Sequence, residues 1–115
     1  MVKDDNLWLG DMLDYALRAV NKVHGVDRQA FEEDENLRLA LVHLIMIIGE
    51  AASHISGETR NKYQQIPWKN IVGMRHKIVH DYVSVNDSAV WEIATIDLPP
   101  LISELRKILP PEEGK

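Results

Sequence analysis

The sequence predicts an all-α domain, a bundle of four to five helices, and three observations predict it. Apolar residues recur at spacings of three and four along three long segments. The turn-forming residues Gly25, Gly57 and Pro67 fall between the helical segments. No stretch alternates apolar and polar residues convincingly enough to read as a half-buried strand.

The first helix is predicted over 4–23, with Leu7, Leu9, Met12, Leu13, Ala16, Leu17 and Val20 forming a broad stripe and Gly25 as the stop. The second is predicted over 34–55. Leu37, Leu41, Leu44, Ile48, Ala51 and Ile55 form its main face, and Ala40, Ile45, Met46 and Ile47 fill much of the remaining circumference. A helix apolar nearly all round must be covered on more than one side. A second copy of so short a chain supplies that cover, so a homodimer is expected. A central helix wrapped only by its own chain is the alternative.

Gly57 closes the second helix, and 58–64 reads as a short helical turn. Pro67 suits the first turn of a helix expected over 67–80. Residues 83–87 read as a connector, with Ser84 or Asn86 as the next N-cap. The last helix is expected over 89–109 through Val90, Ile93, Leu98, Leu101, Leu105 and Leu109, kinked or broken by Pro99-Pro100. Residues 1–110 are thus expected to form one domain and 111–115 a disordered tail.

Composition narrows the function classes. With no cysteine, disulfides and thiol catalysis are excluded, and a reducing, cytoplasmic setting is expected. The first residues carry Asp4, Asp5 and Asp11 without a basic start or an apolar run, so no export signal is read there. The apolar stretch Leu39–Ile48, interrupted by His43, is too short to span a bilayer, and no membrane association is expected. A net charge of −5 argues against a protein that coats nucleic acid. Between Arg60 and Tyr82, however, five cations (Arg60, Lys62, Lys69, Arg75 and Lys77) face Asp81 alone. A basic site on an acidic body suits a focused phosphate contact.

That basic segment holds Arg75, His76, Lys77, His80 and Tyr82 within eight residues. Arginine offers a planar fork of donors to a phosphate. Histidine moves protons in either direction near neutrality, and tyrosine adds a hydroxyl. These are the parts that metal-free RNA cleavage requires: a base for the 2′-hydroxyl, an acid for the leaving 5′-oxygen and a cation for the phosphoryl oxygens. On a straight helix His80 would lie about 140° from Arg75. Either the helix distorts near His80, or two chains assemble the site, with a two-fold axis bringing two copies of His80 together. Capping of carbonyls and surface ion pairing is the plain alternative.

The segment Gly73-Met74-Arg75-His76-Lys77-Ile78-Val79-His80-Asp81-Tyr82 resembles the Arg-x4-His-x-Tyr signature of HepT-like toxins in the HEPN superfamily. Ile47-Ile48-Gly49-Glu50-Ala51-Ala52, Ile66-Pro67-Trp68 and the final Trp91 and Asp97-Leu98-Pro99 resemble further family segments in the same order. The resemblance implies a HEPN-type helical bundle that dimerises with the motif facing an interface cleft. It implies ribonuclease activity on RNA with Arg75 and His80 as the essential pair. It also implies a cognate minimal nucleotidyltransferase antitoxin, as in a type VII-like toxin–antitoxin system, able to add AMP to Tyr82. His76 departs from the pattern, which commonly has a small polar residue there; His76 and Lys77 are carried as substrate contacts.

His43, Glu50 and His54 share a stripe of the second helix, but their spacing suits one metal ion poorly. No metal and no cofactor is expected, and Glu50 is read instead as a residue orienting Arg75 or His80. Trp8, Trp68 and Trp91 read as core or interface residues ahead of base-stacking platforms. The acidic run 32–35 reads as a helix start. The rival function is a non-catalytic helical module that only docks a nucleotidyltransferase; a purely structural dimerisation domain is a third reading.

Overall fold

The computed structural model describes residues 4–79 and 84–110. Those residues form an all-α bundle built on three longer helices and several short ones. Helix α1, Asp5–Val23, begins where the Asp4 carboxylate accepts from the Leu7 N–H at 3.0 Å. It buries Leu9, Met12, Ala16, Ala19 and Val23, one stripe at helical spacing. The chain reverses at Gly25, whose φ of 74° is the left-handed conformation that favours glycine.

A short helix not read from the sequence follows. Helix α2, Arg28–Glu33, is capped by Asp27, which accepts from the Ala30 N–H at 2.8 Å. Its single buried residue, Phe31, packs on Trp91 with ring centroids 5.0 Å apart. The acidic run therefore divides between two helices: Glu32 and Glu33 end α2, whereas Asp34 caps α3 by accepting from the Leu37 N–H. Arg38 ties this corner together. Its guanidinium donates to the Phe31 carbonyl at 3.1 Å and pairs with Asp87 at 3.6 Å.

Helix α3, Glu35–Ser53, is the central element and packs against α1 and against the short helices that follow. By length and composition alone it is apolar enough to cross a membrane, a longer run than Leu39–Ile48 suggests. Its buried Leu41, Leu44, Ile45, Ile48, Gly49, Ala51 and Ala52 are instead the middle of the core. Gly49 is required by a close approach: a Cβ there would meet the Ile71 carbonyl oxygen at 3.2 Å.

Ser56 caps α4, Gly57–Lys62, and also donates its hydroxyl to Asp5 at 2.6 Å, docking α4 on the start of α1. The single helix expected over 67–80 is instead two, α5 at Trp68–Val72 and α6 at Met74–Ile78, separated by Gly73. A Cβ at Gly73 would sit 3.2 Å from the Lys69 carbonyl oxygen, a tight contact that favours glycine at the junction. Asn86 is the N-cap of α7, Asp87–Glu92, accepting from the Ala89 N–H at 3.1 Å.

The expected break at Pro99-Pro100 takes the form of a widened turn. A π-helical segment, Ile93–Asp97, joins α7 to α8, Leu98–Ile108, with both prolines in the first turn of α8. Proline donates no N–H and crowds the carbonyl four residues earlier, and the wider π turn accommodates both effects. The Thr95 hydroxyl donates to the Trp91 carbonyl at 2.7 Å within this stretch. Leu98, Leu101, Ile102 and Leu105 then carry α8 back into the core against α1. Residues 111–115, the expected tail, lie outside the described residues.

Candidate active site

Two apolar pins orient α6. Met74 and Ile78, four residues apart, are both buried, which turns Arg75, His76 and Lys77 to the exposed side. Immediately beyond, Val79 pairs with Val85 in an isolated antiparallel bridge, and the Asn86 N–H donates to the Ile78 carbonyl at 2.7 Å. The chain between the two valines is thereby closed at its base.

That closure revises the geometry read from the sequence. Helix α6 ends at Ile78, so the fixed helical angle between Arg75 and His80 does not apply. A departure from the helix near His80 is one of the two alternatives that the spacing leaves open, and the helix ends two residues before that position. The signals were Gly73 and the valines at 79, 83 and 85, which favour extended backbone. His80 and Tyr82 themselves lie outside the described residues.

The exposed cations differ in their engagement. Lys77 is held by two acids, Glu92 at the end of α7 at 3.8 Å and Asp97 at the end of the π-helical segment at 3.7 Å. Part of its charge is therefore already answered, which weakens it as a substrate contact. Arg75 is exposed and has no hydrogen bond or ion pair among the described residues. His76 is exposed beside it.

Glu50, expected behind Arg75 or His80, has its described partner at the end of its own helix, whereas His80 lies outside the described residues. Its Oε1 lies 3.0 Å from His54 Nε2, both side chains are exposed, and the His54 ring stacks on Trp8 at 4.3 Å. No contact between Glu50 and Arg75 is present among the described residues. The Glu50–His54 pair sits one turn from the end of α3 and fixes that end against α1. His43 points to the exposed side of the same helix. Trp68 is buried and donates its indole N–H to the Tyr63 carbonyl at 3.0 Å, a core role. Trp91 packs on Phe31.

Comparison with known proteins identifies the family. The family model described as Ribonuclease HepT-like matches residues 12–108. A protein named "Putative RNase MJ1216" from Methanocaldococcus jannaschii is 34% identical over 98% of this chain and 93% of its own length. "Putative RNase TTE0752" from Caldanaerobacter subterraneus subsp. tengcongensis is 36% identical over 82% of this chain and 84% of its own. "Probable ribonuclease HepT" from Thermococcus cleftensis is 28% identical over 85% of this chain and 93% of its own. No solved structure gives a significant match. The chain belongs to the HepT-like ribonuclease family, as its ordered motifs implied, and its enzyme class is ribonuclease.

Proposed function

We propose that this ribonuclease is a cytoplasmic toxin that cuts RNA internally without a metal ion. The observation that carries the reading is Arg75: an exposed, unengaged guanidinium among the described residues, on the helix that ends two residues before His80 in the motif. Arg75 grips the phosphoryl oxygens. One His80 removes the proton of the 2′-hydroxyl as that oxygen bonds to phosphorus. A protonated His80 gives its proton to the 5′-oxygen as the P–O5′ bond breaks. The products are a 2′,3′-cyclic phosphate and a free 5′-hydroxyl.

The acid and the base come from two copies in a homodimer. Helix α3 supports that assembly, because only seven of its 19 residues are buried within the chain. Leu39 is 61% exposed, and His43 and the half-buried Ile47 continue the same stripe. Control falls on Tyr82. A minimal nucleotidyltransferase antitoxin delivers AMP from ATP to the phenol oxygen, with pyrophosphate leaving, and the added anion repels RNA. Intact mass after co-expression with such an enzyme reads the modification, and Tyr82→Phe removes the gain.

The test of the chemistry is cleavage of labelled RNA in EDTA by wild type, Arg75→Ala and His80→Ala. Each variant is expected to lose at least about a hundredfold in rate while keeping its helicity. Equal cleavage by all three would assign the activity to a contaminant. Stable antitoxin binding with no cleavage by wild type would leave the adaptor reading in its place.

A further inference from the structure

Away from the motif, the surface between α4 and α5 differs chemically from the rest of the molecule. A cleft of about 600 Å3 opens there. Arg60 and Lys69 line it together with the carboxamides of Asn61, Gln64 and Asn70. Among the described residues no aspartate or glutamate lines it, in a chain with 18 acids and 13 lysines and arginines. Such a concentration of donors in an acidic protein selects an anion.

The two cations are presented differently. Arg60 is fixed: it donates to the Ala52 carbonyl at 2.9 Å, at the end of α3, and its Nε is buried without a hydrogen-bond partner. Lys69 is exposed and, among the described residues, has no hydrogen bond or ion pair. It also borders a second cleft of about 810 Å3 that continues past Gly73 to Lys77. One lysine thus joins the carboxamide cleft to the helix that carries Arg75.

We infer that the α4–α5 cleft is an accessory subsite for single-stranded RNA, resting on the ribonuclease reading above and extending it to the substrate class. Lys69 and Arg60 hold backbone phosphates on one side of the scissile link. Asn61, Gln64 and Asn70 each offer a donor and an acceptor, the complement of a nucleobase edge. Base edges are free in a single strand and largely hidden in A-form duplex, so the subsite selects unpaired RNA several nucleotides long.

Binding of a labelled 2′-O-methyl RNA of roughly twelve nucleotides tests this, since that strand lacks the attacking hydroxyl and is not cut. Anisotropy titrations across a salt series compare wild type with Lys69→Gln, Asn61→Asp and, as a control on α1, Arg18→Gln, whose guanidinium pairs with Asp14 and lies over the Tyr15 ring. Arg60 is left intact because it anchors α3. Lys69→Gln is expected to weaken binding about threefold to tenfold and to lower the salt slope by about 0.7. Asn61→Asp weakens binding by a similar factor, and Arg18→Gln matches wild type. Wild-type affinity and slope in Lys69→Gln would overturn the subsite, as would failure of the native protein to bind the strand. Cleavage of unmodified RNA is scored separately. Normal cleavage with an unaltered slope removes the subsite alone; a lowered slope without cleavage by any protein supports the subsite and removes the nuclease reading.

Discussion

The two halves of the bundle hold their shape by different means. Helices α1 and α3 are 19 residues each, start on aspartate caps, and bury five and seven residues respectively. Helices α5 and α6 are five residues each, have no side-chain cap, and bury two residues each. A five-residue helix has no stability of its own. The short helices persist because Trp68, Ile71, Met74 and Ile78 plug into a core that the long ones have already built. Stability and chemistry are thereby assigned to different residues: the short helices give two positions to packing and leave the rest outward. Arg75 is available for a ligand because Met74 and Ile78 hold its helix.

The contrast breaks most sharply at Ile48, which is fully buried in α3. Ile48→Ala is expected to cost about 3 kcal/mol by leaving a cavity that the packed helices fill only partly. Thermal unfolding should then shift down by on the order of 10 °C. Arg75→Ala, on an exposed position, should shift stability by no more than about 0.5 kcal/mol while removing activity. Comparable melting losses in the two variants would mean that the motif helix is part of the stabilising core.

The same division governs what was legible in the sequence. Helices α1 and α3 could be read to within a few residues because each repeats its apolar spacing over several turns, and Asp4 and Asp34 mark their starts. The Arg75 motif was legible as an ordered set of residues, which needs no secondary structure. Helix α2 was missed because six residues with one buried side chain, Phe31, give no periodicity to detect. The break at Gly73 was missed because Ile71, Met74 and Ile78 keep helical spacing across it; packing against α3 sets the break. Nothing in the sequence announces that the His54 ring stacks on Trp8 and takes Glu50 as its partner. Contacts between distant segments are the part that local pattern does not encode.

One such contact joins the two halves and has a pH signature. Asp5, in the first turn of α1, accepts from the Ser56 hydroxyl and backbone N–H and from the Thr59 hydroxyl, which fixes the start of α4. The Ser56 hydroxyl first and the Thr59 hydroxyl second hold the Asp5 carboxyl below the ordinary 3.8, against a small opposing effect of burial. A carboxyl depressed in the folded state binds fewer protons there than in the unfolded chain, so it stabilises the fold above the unfolded value. That contribution fades as pH falls through 3.8 and is lost below the folded-state value. Asp5→Asn, which imitates the neutral form, should therefore melt slightly below wild type at neutral pH. The gap should narrow as the pH falls through 3.8 and close below the folded-state value. The effect is the smallest considered, because the carboxyl is largely solvated and water screens its bonds. A gap that stays constant down to acid pH would show that the carboxylate charge is not what clasps α4 to α1, and that the hydroxyl contacts hold equally well with a neutral acceptor.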